Sequence, residues 1–365
     1  MSAVTSNFTG NSIDAGRLEM LELVGAGTDS SVYLAIDHHA STSSDPVRRA
    51  IKVVQKAGPS KRDNRYQLRE FRIHKLVSDV PGVHKLLEVH EDEAHFYLVS
   101  DYRDCDLFGL IAEGVAFEYN DERIRSVFVQ ILDAVHGCHS QKVYHRDLRP
   151  ENILCTADGK EVSVTDFGSA TPIAQSYLHG HGTNCYTSPE CIGQETSSRP
   201  YWTKYADIWA LGLILVNLIS GGLHPWKEAT LDDPDFRRFL EHEDYLESEF
   251  DISSDAADLL KRIFRMSPTM RPSLAQIRNN VLRMNTFFAD FDEDYADGEV
   301  DEEESDDDSE VSSASSAFED LPAAKPIDVS CFWGQKRPLL PLKRTPSDDE
   351  FACGFIDGLE RLIFA

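Results

Sequence analysis

The 365-residue chain has few basic residues for its size and no long apolar run. Lys and Arg total 36 against 63 Asp and Glu, which gives a net charge of −27 at pH 7. Because binding to nucleic-acid phosphates relies on clustered Lys and Arg, this balance argues against nucleic acid as the main partner. The longest strongly apolar run, Leu211 to Ile219, is too short to span a bilayer and predicts a buried helix. We therefore expect no membrane partner.

Cysteines are few and show no pairing pattern. The seven Cys include no Cys-x-x-Cys pair, and an odd number cannot all pair within the chain. Reduced thiols are the simplest interpretation, and they are typical of intracellular proteins. Met1 to Arg17 also lack the apolar core of a signal peptide. We expect a soluble protein of the cytoplasm, the nucleus or both.

The excess negative charge lies mostly near the C-terminus. From Thr286 to Ala365 the net charge is −16, and Asp290 to Glu310 holds 14 acidic residues without Lys or Arg. Such a block buries too little apolar surface to offset its ordering entropy, which predicts a disordered, solvated segment. The basic segment Lys336 to Arg344 and the helical spacing of Ile356, Leu359 and Ile363 predict short docking elements for regulatory partners.

The most informative stretch, Val143 to Asn152, reads Val-Tyr-His-Arg-Asp-Leu-Arg-Pro-Glu-Asn. Asp147 lies five residues before Asn152, and Asp166 opens an Asp-Phe-Gly motif 19 residues after Asp147. One carboxylate of this kind orients a hydroxyl, while an amide and a second carboxylate hold divalent metal on a nucleotide. The pattern therefore predicts phosphoryl transfer.

These motifs resemble those of eukaryotic protein kinases, and Pro150 and Glu151 are typical of the serine/threonine type. The Ser-Pro-Glu-Cys at 188 to 191 and the segment His95 to Leu107 are similar to the corresponding sequences of a fungal branch of kinases that controls nutrient response and meiosis. The resemblance covers residues 18 to 285 and implies an α+β, two-lobed fold. A small antiparallel-sheet lobe would span about 18–100 and a mainly helical lobe about 104–285. Residues 1–17 would be a flexible N-terminus, and residues 286–365 an acidic, largely disordered tail.

The small lobe of such a fold covers the phosphates with a glycine-containing loop. Leu21 to Ala35 alternate apolar and polar residues around a glycine turn, as a strand-loop-strand unit does. Gly25 would permit the turn, and Gly27 would let backbone N–H groups approach the phosphates. Ser30 stands where the family has a third glycine, and we interpret the change as tolerated with weaker ATP binding.

A lysine interrupts the apolar segment Ala50 to Val54, as in the family's Val-Ala-Ile-Lys strand. Lys52 is therefore the expected clamp on the α- and β-phosphates. Glu70, in a segment with helical spacing, is its expected partner. Three other glutamates are alternative partners of Lys52, and we place them in a turn between strands: Glu88, Glu91 and Glu93. The residues that the resemblance assigns to the nucleotide pocket are Gly25, Gly27, Val32, Ala50, Lys52, Glu70, Asp101, Arg103 and Asp106.

The segment His95 to Leu107 would be the hinge between the lobes. Backbone groups of Asp101 and Arg103 would face adenine, and Asp106 would lie near the ribose. Ser100 would stand behind the adenine, where most kinases have a larger side chain.

The resemblance assigns Asp147, Arg149, Lys52 and Asn152 to catalysis, and Asn152 and Asp166 to Mg²⁺. Asp147 would orient the substrate hydroxyl. Arg149 replaces the usual Lys, and its planar fork would keep a positive charge on the transferred phosphoryl group. We accordingly expect Arg149→Lys to keep or improve transfer.

Further positions of the family pattern predict support and regulation. Arg146 could pair with a phosphate on the segment between Gly168 and Ser188, where Ser176 has the most suitable position. Thr183 would bond the carboxylate of Asp147. The expected structural residues are the pair Glu190 and Arg271, and Asp207 beneath the catalytic loop.

The sequence thus predicts a serine/threonine protein kinase that uses ATP and Mg²⁺ in intracellular signalling. Acidic residues near the expected cleft, Asp104, Asp106 and Glu151, predict protein substrates with Arg or Lys before the acceptor. A pseudokinase scaffold is the alternative, based on Ser30 and Arg149.

Overall fold

The computed structural model describes residues 7–27, 30–42, 45–60, 64–114, 116–193 and 199–289. The acidic stretch and the tail segments discussed above lie outside these residues. A six-stranded antiparallel sheet with one helix forms a small lobe, and a mainly helical region forms a larger one. The predicted α+β, two-lobed fold is confirmed. No helix in the described ranges combines the length and apolarity that crossing a bilayer requires.

The small lobe is built on a sheet with the strand order β1-β2-β3-β4-β6-β5. Its elements are β1 (Ser12–Ile13), β2 (Leu18–Ala26), β3 (Ser30–Asp37), β4 (Arg48–Gln55), α1 (Arg65–Val77), β5 (Leu86–Glu91) and β6 (His95–Asp101). Side chains alternate between the two faces of a strand. Tyr33 and Ile51 are therefore buried in an apolar cluster on one face. Val32 and Lys52 are directly paired on the opposite face.

Two sequence expectations for the small lobe are wrong. Residues 7–17, expected to be flexible, pack on the sheet, because β1 pairs with β2 and Phe8 contacts the rings of Tyr33 and Tyr97 edge-on. Glu88 and Glu91, expected in a turn, lie in β5 and pair with β6. The N-terminal segment has few apolar residues, and β5 mixes Leu86, Leu87 and Val89 with charged residues, so neither shows a strict alternation.

The large lobe begins after the connector that follows β6. Its elements are β7 (Cys105–Asp106), α2 (Leu107–Ala112), α3 (Asp121–Ser140), β8 (Ile153–Cys155), β9 (Val162–Val164), β10 (Gln175–Ser176), α4 (Pro189–Ile192), β11 (Tyr201–Trp202), α5 (Thr203–Ser220), α6 (Pro234–Glu241), α7 (Tyr245–Phe250), α8 (Ser254–Ile263) and α9 (Leu274–Arg283). Single 3₁₀ turns occur at Pro150–Asn152, Phe167–Ser169, Asn184–Tyr186 and Pro268–Met270.

Helix α5 is the centre of the large lobe. Its segment from Leu211 to Ile219 is buried on all sides, which confirms the helix predicted from the apolar run. A helix that is apolar all round can only be stable when other elements cover it completely, and α3, α7 and α8 contact it. The lobe also extends past the predicted boundary at residue 285. Phe287 and Phe288 are buried in the same core, and Phe288 forms a β-bridge with Ile252.

Candidate active site

A lysine of the small lobe and an aspartate of the large lobe meet between the lobes. Lys52 Nζ on β4 lies 3.0 Å from Glu70 Oε1 on α1 and 3.5 Å from Asp166 Oδ1. Burial opposes the charged form of Lys52, but the negative charges of Asp166 and Glu70 outweigh that effect and raise its pKa. Lys52 is thus a permanent cation, and the predicted ion pair with Glu70 is present.

The catalytic loop rests on a buried carboxylate. Asp207 in α5 accepts the backbone N–H groups of His145, at 2.9 Å, and Arg146, at 2.7 Å. It also contacts the imidazole of His139 at 2.8 Å. These bonds hold Arg146 in the left-handed backbone region, at φ 62°, a conformation that costs on the order of 1–3 kcal/mol. Asp207 is therefore the predicted support beneath the loop.

The loop in turn fixes the groups assigned to catalysis. Asn152 donates from Nδ2 to the Asp147 carbonyl at 2.7 Å. Thr183 donates its hydroxyl to Asp147 Oδ1 at 3.0 Å, as predicted. One carboxylate oxygen of Asp147 thereby anchors the side chain and the other can accept from a substrate hydroxyl, which is the geometry a general base needs.

Asp166 and Asn152 offer the oxygen ligands that Mg²⁺ prefers. Asp166 also lies in the left-handed region, at φ 60°, and its carboxylate accepts the Gly168 N–H at 3.4 Å. Its side chain remains 41% exposed. Because the Asn152 amide nitrogen is committed to Asp147, the Asn152 oxygen is the atom left for a cation. The residues present therefore fit a metal–nucleotide site.

Three residues assigned to the nucleotide pocket, Val32, Ala50 and Lys52, share one face of the small-lobe sheet with Ser100. Lys52 is paired with Val32 on one side and Leu98 on the other, and Ala50 with Ser100. All five belong to a continuous sheet surface, because residues two apart on a strand point to the same side. Asp101 ends β6 and is ion-paired with Arg49. Arg103 follows in the connector, 3.9 Å from Glu161.

Asp106 caps the helix that follows the connector. Its carboxylate accepts the Gly109 N–H at 2.8 Å, and burial raises its pKa. The carboxylate is thus partly committed to the helix.

The glycine-containing loop differs in detail from its predicted roles. Gly25 lies in β2 and pairs with Val32 of β3, and neither Gly25 nor Gly27 has a positive φ. A side chain at Gly25 would meet only ordinary contacts, whereas one at Gly27 would lie 3.3 Å from the Ser30 hydroxyl. The Gly27 N–H donates to the Ser30 carbonyl at 2.7 Å, so it closes the turn in this conformation.

Three neighbouring rings in tilted contact link the two lobes, and the sequence analysis did not assign them a role. The Phe167 ring lies between His74 on α1 and His145 in the catalytic loop, with both centroid distances at 5.0 Å. His74 also contacts the carbonyl of His84 at 2.6 Å. The helical spacing of Phe71, His74 and Val77 was the available signal, but it indicates a buried face and not what covers it.

In the large lobe, one predicted ion pair is present and one predicted phosphorylation site is buried. Arg271 donates two bonds to the Glu190 carboxylate, at 2.5 Å and 2.8 Å, in a buried fork that confirms the predicted pair. Ser176, however, is only 3% exposed and its hydroxyl accepts the Leu178 N–H at 3.0 Å. The expected phosphorylation site is therefore closed to a partner enzyme in this conformation.

The arrangement of these residues agrees with the comparison to known families. Residues 18–282 match the protein-family model described as "Protein kinase domain". The chain belongs to the eukaryotic protein kinase family. The match includes Lys52, Asp147, Asn152 and Asp166.

Curated relatives extend the similarity across the kinase domain. "Negative regulator of sexual conjugation and meiosis" of Schizosaccharomyces pombe is 34% identical over 280 residues, 71% of this kinase and 58% of that protein. "CBL-interacting protein kinase 11" of Oryza sativa subsp. japonica is 33% identical over 280 residues, with coverage of 74% and 52%. "Serine/threonine-protein kinase ksp1" of S. pombe is 35% identical over 215 residues, with coverage of 57% and 45%. The chain spans about half the length of the curated relatives it matches.

The structure changes the expectation for Arg149. Its guanidinium donates from Nε to Glu151 at 2.7 Å and from Nη1 to the Thr183 hydroxyl at 2.7 Å. A second bond joins it to Glu151. This fork bridges the catalytic loop and the residue that holds Asp147, and an ammonium cannot reproduce it.

Arg149→Lys is therefore expected to lower kcat about tenfold, about 1.4 kcal/mol in the barrier, instead of improving it. Steady-state kinetics with a saturating peptide would measure this. The matched control is Arg237→Lys at an exposed position on α6, which should leave kcat unchanged. An unchanged or higher kcat in Arg149→Lys would restore the original expectation of simple replacement.

Acid should destabilise the kinase partly through His74. Burial lowers the His74 pKa from 6.5 to about 4. Because the folded pKa is depressed, the contribution to stability is complete above about pH 6.5 and is lost as pH falls towards 4. The free energy of unfolding should fall between about pH 7.5 and pH 5 in the parent. In His74→Leu this fall should be smaller by about 2 kcal/mol.

Urea unfolding at the two pH values would measure the difference. His84, His181 and His224 also have pKa values lowered by burial, but they titrate in both proteins and cancel in the comparison. The exposed His242, replaced by Gln, is the control. Equal pH dependence in His74→Leu and the parent would contradict the assignment.

Proposed function

We propose that this kinase transfers the γ-phosphoryl group of ATP to Ser or Thr side chains of protein substrates, with Mg²⁺ as the metal. The observation that carries the proposal is the 3.5 Å contact between Lys52 of the small lobe and Asp166 of the large lobe. In this contact the expected phosphate clamp, Lys52, lies beside the expected metal ligand, Asp166, while Lys52 also remains paired with Glu70. Catalysis of phosphoryl transfer consists mainly of such positioning and charge stabilisation.

Each side chain has a distinct part in this proposal. Lys52 binds phosphate oxygens of the nucleotide, and Glu70 holds its ammonium in position. Asp147 orients the acceptor hydroxyl, with Thr183 fixing the carboxylate. Asn152 and Asp166 hold Mg²⁺, which when bound neutralises the phosphate oxygens. The serine/threonine preference is supported by Pro150 and Glu151 in the catalytic loop, and by the similarity to "Serine/threonine-protein kinase ksp1" of S. pombe.

The proposed preference for basic substrates depends on acidic residues that already have partners. Asp104 is ion-paired with Arg48 at 3.0 Å and Glu151 with Arg149, while Asp106 caps α2. Protein substrates remain the proposed class. Three unpaired carboxylates would attract Arg or Lys before the acceptor strongly. Here the ion pairs already neutralise part of this charge at the surface, so the preference would be weaker.

The direct test is incubation of the full chain with labelled ATP, Mg²⁺ and an arrayed set of Ser, Thr and Tyr peptides. We expect label on Ser and Thr peptides and none on Tyr peptides, and no transfer when the metal is chelated. The alternative of a non-catalytic scaffold predicts no transfer to any peptide while nucleotide still stabilises the protein thermally. Label confined to Tyr peptides would instead contradict the serine/threonine assignment.

A further inference from the structure

Two cysteines lie directly opposite each other where the connector between the lobes joins the large lobe. Cys105 opens β7 and Cys155 ends β8, and the antiparallel register pairs these two residues. Both thiols are free. They are 50 residues apart along the chain, so it is the pairing of β7 with β8 that brings them together.

The sulfur of Cys105 lies over the end of β8. Its Sγ donates to the Thr156 carbonyl at 3.7 Å and lies 4.0 Å from the carbonyl oxygen of Cys155. Cys155 is completely buried in the core of the large lobe, and Cys105 packs against the same core. Directly opposite side chains of antiparallel strands share one face of the sheet. The two thiol side chains are therefore neighbours on that face.

The backbone separation of this pair suits a disulfide. Directly opposite residues of antiparallel strands have Cα atoms about 4.5 or 5.5 Å apart, depending on whether they are hydrogen-bonded to each other. Disulfides span Cα separations of about 4.4–6.8 Å, so either value allows the bond. Opposite Cβ atoms are about 4.5–5.5 Å apart, whereas a disulfide brings them to about 3.8 Å. Closing the bond would thus draw the strands together by roughly 1 Å.

Strand β7 is the one that can move. β8 is held on both sides, because it pairs with β7 and with β9, whereas β7 is a two-residue strand at the edge of this sheet. Asp106 is the second residue of β7, and its carboxylate accepts the Gly109 N–H. A shift of Cys105 towards β8 would therefore displace Asp106, which we assign to the nucleotide pocket.

We propose that Cys105 and Cys155 are a site of reversible oxidation and that the disulfide between them weakens nucleotide binding. The effect on the nucleotide rests on the proposed function, whereas formation of the disulfide does not. Misplacing a contact group by about 1 Å is enough to cost an order of magnitude or more. We therefore expect the dissociation constant of ATP to rise about tenfold in the oxidised form.

The reaction balances with hydrogen peroxide as the oxidant. The thiolate of Cys105, the less buried of the two cysteines, attacks one peroxide oxygen, so that an S–O bond forms, the O–O bond breaks and a sulfenic acid results. The thiolate of Cys155 then attacks the Cys105 sulfur, and hydroxide leaves as the S–O bond breaks. The protons of the two thiols convert both hydroxides to water. Two thiols and one peroxide thus give one disulfide and two waters.

The surroundings of the two thiols make this reaction slow. Burial raises the pKa of both, and the carboxylate of Asp106 raises the pKa of Cys105 further. The thiolate is the reactive form of cysteine, so little of either residue is reactive at neutral pH. The pair is accordingly suited to sustained oxidant and not to brief exposure.

The first experiment maps the bond. The full chain is treated with hydrogen peroxide for several hours, the remaining thiols are alkylated, and a non-reduced digest is analysed by mass spectrometry. We expect a linked pair of peptides that contain Cys105 and Cys155, and its loss after dithiothreitol. Cys155→Ala should not give this pair. Absence of the linked pair from the parent, or linkage of these residues only to other cysteines, would overturn the inference.

The second experiment measures the Kd for ATP by calorimetry in the presence of Mg²⁺. Peroxide should raise this Kd about tenfold, and dithiothreitol should restore it. Cys105→Ser keeps the size of the side chain but cannot form the bond, so its Kd should be the same with and without peroxide. Cys138→Ala removes a different buried thiol, on helix α3, and should respond to peroxide as the parent does.

The two experiments separate this inference from the proposed function. If the reduced chain neither binds ATP nor transfers phosphate, the proposed function is wrong, while peptide mapping still decides whether the disulfide forms. A disulfide between Cys105 and Cys155 with an unchanged Kd for ATP would overturn the inferred control of nucleotide binding. A peroxide effect of equal size in Cys105→Ser would belong to another group and would overturn it as well.

Discussion

Asp166→Asn is expected to lower kcat at least a thousandfold, about 4 kcal/mol in the barrier, while the fold stays intact. The amide keeps the size and the bond to Gly168 but loses the negative charge that faces Lys52 and would hold Mg²⁺. Neutral amide oxygens are much weaker ligands for a hard cation than carboxylates. Transfer to a peptide at saturating ATP and Mg²⁺ would measure the loss.

Two comparisons make this result specific. Lys52→Met should cause a similar loss by removing the phosphate clamp, and Asp258→Asn, at an exposed position on α8, should cause none. Thermal unfolding of Asp166→Asn should lie within a few degrees of the parent. Activity equal to that of the parent in Asp166→Asn would show that the metal site is elsewhere and that the proposed assignment is wrong.

Ser100→Phe is expected to reduce the affinity for inhibitors that are bulky at the adenine N6 side by at least a hundredfold, about 2.7 kcal/mol. Ser100 on β6 is paired with Ala50 on one side and Leu86 on the other. Phe adds about five heavy atoms at a position between a small residue and a buried one, where extra volume is costly. The parent should accept such inhibitors because Ser leaves this space open.

The measurement is the dissociation constant of one bulky inhibitor for both proteins, with the KM for ATP as a check. ATP does not need the space behind adenine, so its KM should change less than threefold. Ser140→Phe, at an exposed position at the end of α3, is the matched control and should bind the inhibitor as the parent does. Equal inhibitor affinity in Ser100→Phe and the parent would mean that Ser100 does not line the pocket.

Much of the candidate site was predictable because its residues belong to local motifs with fixed spacing. The predicted strand around Lys52, the helix with Glu70 and the polar loop with Asp147 and Asn152 are all present. The boundaries of the domain were less predictable. Phe287 and Phe288 stand beside an acidic stretch in the sequence, and only their contacts in the core show that they belong to the folded part.

The partner of each charged side chain was the least predictable feature. The family resemblance implied that Arg149 faces the transferred phosphoryl group, whereas it bridges Glu151 and Thr183. Thr183 is 34 residues away along the chain. An arginine can bond whichever acceptors the fold brings within reach, and its sequence neighbours do not specify them.

The sequence by itself determined the family, the two-lobed fold and the identity of the polar residues between the lobes. Residue spacing and apolar periodicity are properties of the chain that persist in any environment. Only the tertiary structure decided that Ser176 is buried, that Tyr201 donates to the Leu178 carbonyl and that His74 packs on Phe167. Burial and side-chain partners depend on which distant segments are packed together, and a spacing pattern does not contain that information.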